Sequence, residues 1–103
     1  MSYLSFYVTF PDKDTASIII HQVVSERLAA CGNSFSINSC YFWNENIENS
    51  KEVAAIIKTS ECKGIKLLNR IEELHPHEIP CISYWKCKAN ETYESWIAEV
   101  TKD

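Results

Sequence analysis

The stretch Leu74-His75-Pro76-His77-Glu78-Ile79-Pro80 decides how the second half of the chain is built. Before it, Ile65, Leu68, Ile71 and Leu74 recur at helical spacing on one face. After it comes an apolar run to Cys87. Proline fixes its own φ and drives the preceding residue out of the helical region. The spacing therefore predicts a helix that ends at His75 and a strand from Ile79 to about Cys87. The corner between them holds two imidazoles and a carboxylate within four residues. Two prolines stiffen it, so those polar groups are positioned at little further cost in entropy.

Working outward, Tyr3 to Phe10 is rich in β-branched and aromatic residues and reads as a strand. Pro11 breaks it, and Asp12 is placed to cap a helix. Apolar residues at Ala16, Ile19, Ile20, Val23, Val24, Leu28 and Cys31 extend that helix to a stop at Gly32-Asn33. Phe35, Ile37, Tyr41 and Trp43 alternate with polar residues as a second strand, and Cys40 and Phe42 suggest that its far end is covered on both sides. A turn at Asn44-Glu45-Asn46 leads to a third strand over about Glu52 to Thr59. Ser60 is placed to cap the second helix, and Asn90-Glu91-Thr92 opens a short last one carrying Tyr93, Trp96, Ile97 and Val100.

The order β-α-β-β-α-β plus a terminal helix fits two split βαβ units, an α+β ferredoxin-like sandwich forming one domain over residues 1–103. Two helices cover one sheet face. The other carries Phe35, Tyr41 and Trp43 and would leave a large apolar patch. The expectation is self-association through that face and the hairpin of strands two and three.

Composition excludes several classes. A formal net charge of −4 and the lack of any basic block argue against a nucleic-acid binder. Ile18-Ile19-Ile20 is too short to span a membrane, and the amino terminus shows no signal-peptide pattern. Five cysteines, an odd count without a CxxC pair, read as reduced thiols in a cytoplasmic protein and not as a zinc ribbon. No nucleophile elbow, Walker loop or dinucleotide fingerprint is present, so no enzymatic activity is expected.

Three groups of residues could carry chemistry. His75 and His77, two apart in an extended segment, point to one side and could ligate a transition metal beside Glu78. Their structural alternative is a histidine that caps helix carbonyls and another on the surface. Cys31 is either a small hydrophobe or a thiolate for Cu(I). Cys81 and Cys87 lie too far apart on their strand to share an ion. Lys58, with the aromatic wall of Tyr41 and Trp43 and one carboxylate, suggests a pocket for a small anion; packing of the aromatics in the core is the alternative.

Leu28-Ala29-Ala30-Cys31-x-Asn33, Tyr41-Phe42-Trp43, Glu52 with Lys58-Thr59, His75-Pro76-His77-Glu78-Ile79-Pro80, and Tyr93 with Trp96-Ile97 occur in this order and spacing. Together they closely resemble the CutA divalent-cation tolerance family (CutA1), from about Val8 to Thr101. His77 stands where the family's motif usually has tyrosine. The resemblance implies a protomer similar to the PII signalling proteins, a tight homotrimer with edge strands paired between subunits, and a role in tolerance of divalent metals, copper above all. In that setting Cys31, His75 and His77 are the expected metal ligands, and Trp43, Lys58 and Glu78 shape a cleft between subunits. The alternative is a PII-like small-molecule sensor or scaffold trimer that needs no metal.

Overall fold

A computed structural model describes the whole chain, Met1 to Asp103. Its elements are β1 (Tyr3–Phe10), α1 (Lys13–Ser25), β2 (Cys31–Trp43), β3 (Asn46–Ser60), a 3-10 turn (Glu61–Lys63), α2 (Gly64–Leu74), β4 (Ile82–Cys87) and α3 (Glu91–Thr101). The four strands form one antiparallel sheet in the order β2-β3-β1-β4. This is the ferredoxin-like arrangement expected from the element order.

Strand periodicity builds the core. Successive β1 side chains alternate between faces, so Leu4, Phe6, Val8 and Phe10 all point toward α1 and α2 and are buried. Their register partners Ile57, Ala55 and Val53 on β3 join them. From the helices, Ala16, Ile19 and Val23 of α1 and Leu67 and Ile71 of α2 close the layer. Each fully buried Phe, Ile or Leu here contributes roughly 1.5–3 kcal/mol.

The first helix is shorter than its apolar spacing predicts, and Cys31 is not on it. It stops at Ser25, where Arg27 adopts φ 60°. The Leu28 amide donates to the Val23 carbonyl at 3.0 Å and the Arg27 amide to the Val24 carbonyl at 3.0 Å. Those two bonds define a Schellman ending, built here on arginine instead of the usual glycine. Ala29 and Ala30 are buried because the connection itself packs on the core, and the Ala30 amide donates to the Lys58 carbonyl at 2.8 Å. Cys31 is thus the first residue of β2. Gly32 lies within that strand, where a Cβ would stand 2.8 Å from Ile20 Cγ2.

The β2–β3 hairpin is longer than the alternation suggested. β1 pairs with β3 only as far as Phe10 opposite Val53, while β2 and β3 stay paired from Cys31 opposite Lys58 out to Trp43 opposite Asn46. Beyond Val53 the hairpin projects about 20 Å past β1. It closes on a two-residue turn, Asn44 (φ 49°) and Glu45 (φ 63°), both left-handed as the hairpin twist demands. Cys40 and Phe42 on this projection are exposed, so nothing within one chain covers its second face. The fourth strand, by contrast, begins only at Ile82. Pro80 and the extended corner precede it.

The face opposite α1 and α2 carries Thr9, Phe35, Tyr41, Trp43, Glu52 and Trp85, as the registers dictate. The third helix covers only one end of it, through Tyr93. Phe35, Tyr41, Trp43 and Trp85 remain 40–46% exposed. No helix is long and apolar enough to cross a membrane.

Candidate functional site

The proline corner behaves as its sequence dictates. His75 terminates α2 with extended backbone angles (φ −74°, ψ 134°), and its amide donates to the Ile71 carbonyl at 2.9 Å. Its ring is buried and stacked on Phe10, centroids 5.3 Å apart. Nε2 lies 2.6 Å from the Thr9 carbonyl oxygen, and Nδ1 accepts the His77 amide at 3.1 Å. A carbonyl can only accept, so the proton sits on Nε2 and the ring is the neutral tautomer. Burial holds the His75 pKa below the ordinary imidazole value. The Thr9 hydrogen bond opposes that shift and the nearby His77 adds to it. Both nitrogens are therefore engaged. His75 fastens the corner to β1 and offers a metal nothing unless those bonds break.

His77 differs. Its ring is half-buried, 4.9 Å from that of His75, and it lines a cavity of about 620 Å³ between the projecting hairpin and the corner. The hairpin contributes Tyr41, Trp43 and Glu52, and the corner contributes His77, Glu78 and Cys81. Trp43, His77 and Glu78, three of the six residues singled out from sequence, thus converge. Glu52 and Glu78 take part in no salt bridge or side-chain hydrogen bond. Cys81, placed on the fourth strand by its apolar neighbours, is an exposed thiol just ahead of it, facing this space.

The remaining pair sits elsewhere. Cys31 and Lys58 are cross-strand partners level with Ser5, four residues along β1 from Thr9 and His75. That is about 13 Å along the strands. Trp43 pairs with Asn46, twelve residues from Lys58, or about 40 Å along β3. Within one chain Lys58 cannot join Trp43 and Glu78 in a cleft, nor Cys31 join the histidines around an ion. An anion pocket built on Lys58 and the aromatic wall is therefore not formed in the protomer. The two carboxylates stand where a lysine was expected.

The end of the sheet that holds Cys31 is closed by α3. Tyr93 OH lies 3.3 Å from Cys31 Sγ, and Lys58 Nζ donates to the same oxygen at 3.3 Å while standing 5.2 Å over the ring. The hydrogen bond with Cys31 and then burial raise the Tyr93 pKa, with Lys58 opposing. Burial works against the Lys58 charge, but Tyr93, Cys31 and Tyr3 together hold its pKa above the ordinary lysine value. Tyr93 and Glu52 are the residues that sequence reasoning did not place in either cluster. Helical spacing alone gave no sign that Tyr93 reaches across to β2. Strand alternation could have put Glu52 on the face of Tyr41 and Trp43.

No three His, Cys, Asp or Glu side chains in one chain lie close enough to hold one ion. The donors present are nonetheless of the right kind. Imidazole, carboxylate and thiol on the corner suit a borderline or soft transition metal.

A ferredoxin-like protomer with an uncovered aromatic sheet face and a cleft under a projecting hairpin defines a class of small α+β proteins. Comparison with known proteins narrows it. A family model described as CutA1 divalent ion tolerance protein matches residues 4–100. The divalent-cation tolerance protein CutA of Pyrococcus horikoshii is 41% identical over 97 residues, covering 93% of this chain and 95% of that one. The crystal structure of CutA1 from Pyrococcus horikoshii superposes with a TM-score of 0.94 at 39% identity, over 97% of this chain and 99% of that one. The divalent cation tolerance protein CutA from Archaeoglobus fulgidus, described as periplasmic, gives 0.93 at 29% identity, over 97% of this chain and 99% of that one. The chain belongs to the CutA1 divalent ion tolerance protein family.

Proposed function

We propose that the chain is a non-enzymatic, cytoplasmic metal-tolerance protein that works as a homotrimer and captures copper or a related metal ion in clefts completed between subunits. The observation that carries this reading is the convergence of Trp43, His77 and Glu78 on one cavity, beside Cys81, in a member of a divalent ion tolerance family. The protomer supplies an incomplete ligand set, which a neighbouring copy can fill. Association also answers the exposed face. Four aromatic side chains left 40–46% exposed need a cover that one chain does not supply. In the proposed assembly Cys31 and Lys58 are assigned to the cleft of a neighbouring copy, and the Cys31→Ser variant below tests that assignment. Five free cysteines suit a reducing compartment.

Light scattering at low micromolar concentration tests the assembly, with a mass of three chains expected. Titration of the reduced protein with Cu(I) against a competing chelator tests the capture. His77→Ala and Cys31→Ser are expected to weaken it by about tenfold or more. Unchanged affinity in both variants removes these residues from the site. The cavity's size also favours a second reading, a PII-like small-molecule sensor without obligatory metal, since about 620 Å³ is far more than one ion needs.

A further inference from the structure

We propose that His75 is a positioning residue, whose ring relays a hydrogen bond from the Thr9 carbonyl of β1 to the His77 amide and thereby sets how the corner presents His77 and Glu78. What holds the corner comes first. No backbone–backbone hydrogen bond outside the helices and strands reaches residues 76–81. Pro76 and Pro80 have no amide to give. The hydrogen bond that the segment does make runs from the His77 amide to His75 Nδ1, at 3.1 Å. The fixed point of the corner is therefore a side-chain nitrogen and not a backbone group.

The polarity of that nitrogen is decided on β1. The β1–β4 ladder ends at Val8 opposite Ile82, and the carbonyl of the next residue, Thr9, accepts from His75 Nε2 at 2.6 Å. A carbonyl cannot donate, so Nε2 holds the ring's one proton and Nδ1 keeps a lone pair. That lone pair needs a donor. The residue directly after His75 is a proline, so the first amide down the chain is that of His77. The same proline favours the extended backbone seen at His75 (φ −74°, ψ 134°). Burial to 8% exposure and stacking on Phe10, with 17° between the ring planes, keep the imidazole in one orientation. An anchor needs only the bond to Thr9. The second bond holds the backbone of a residue whose own ring, tilted 54° from that of His75, lines the cavity beside Glu78.

Substitution can separate the two bonds. The carboxamide of asparagine stops at the level of Nδ1 and offers its oxygen to the His77 amide. That of glutamine reaches the level of Nε2 and offers an N–H to Thr9. Amide hydrogen exchange at His77, followed by NMR on the metal-free full chain, reads the outcome. The amide is expected to be protected in the wild type and in His75→Asn, and to exchange about fivefold or more faster in His75→Gln. An anchor without a positioning role gives the opposite order, because glutamine keeps the bond to Thr9 and asparagine does not. If either variant fails to fold, the nitrogen spectrum of the wild type carries the test, with a protonated Nε2 and a bare Nδ1 expected at His75. An unprotected His77 amide in the wild type, equal protection or the opposite order in the variants, or an Nδ1–H tautomer overturns the proposal. The bearing on metal capture rests on the proposed role of His77: Cu(I) affinity should fall in His75→Gln and hold in His75→Asn. Failure of the wild type to capture copper defeats that role and leaves the exchange result standing, whereas a failed exchange pattern defeats the positioning alone.

Discussion

The two ends of the open sheet face use similar side chains to opposite effect. At one end a thiol, an ammonium and a phenol meet and satisfy one another. Tyr93 OH serves both Cys31 and Lys58, and α3 lies over the group. At the other end a thiol, an imidazole and two carboxylates line one cavity with Tyr41 and Trp43 and make no hydrogen bond or ion pair among themselves. The closed cluster joins an element to the sheet. The open one presents unspent polar capacity in a concave space, which is how ligand sites differ from structural polar clusters. Residue type does not make the distinction; the presence of a covering element does.

His75 and His77 bring the same contrast down to two neighbouring residues, and they provide the largest expected effect. His75→Ala removes a buried ring stacked on Phe10 and orphans the Thr9 carbonyl and His77 amide. It should cost about 2–4 kcal/mol in urea unfolding, while His77→Ala should cost under about 1 kcal/mol. Equal costs would erase the distinction between anchor and ligand. Next in size is Tyr93→Phe, which leaves Lys58 and Cys31 without their shared partner and should cost about 1–2 kcal/mol. Glu52→Gln, at the open end, should change stability by no more than about 0.5 kcal/mol. A large loss there would mean that the cleft acids are structural after all.

The burial of His75 also has a consequence for pH dependence. His75 is held neutral, with a folded pKa below that of the unfolded chain. Below the ordinary imidazole value of 6.5 the unfolded state binds the proton first. The stability due to His75 is thus complete above that pH and is lost as the pH falls through the folded value. Urea midpoints measured from pH 8 to pH 5 should fall at the acid end, and the His75→Ala protein should lack this part of the slope. The smallest effect concerns the hairpin that roofs the cleft. Glu45 sits at φ 63°, where glycine is at ease. Glu45→Gly should raise stability by about 0.5–1 kcal/mol in thermal unfolding, without altering the cleft.

Much of the fold was legible because local rules and the global answer agree. β-Branched and aromatic residues marked β1, proline chemistry marked the end of α2 at His75, and the element order admits few sheets. The misreadings have specific causes. The helical spacing through Leu28 to Cys31 continues only because Ala29 and Ala30 pack on the core after the helix has stopped, and Arg27 in the left-handed region carries no sequence signal. The pairing of β2 and β3 beyond Val53 could not be read from Asn46 to Lys51, a polar stretch with little strand character.

The sequence by itself determined the family, the element order and the stiff corner that holds His77 and Glu78, since these depend on residue identity and on contacts close along the chain. Only the tertiary structure decided which chemistry shares a site. It locked His75 to Thr9, sent Cys31 and Lys58 to the end closed by Tyr93, and put Glu52 on the wall of the cavity that Trp43 also lines. Those outcomes depend on strand register and on which helix covers which end. Register joins residues far apart in sequence, and no local pattern of side chains encodes it.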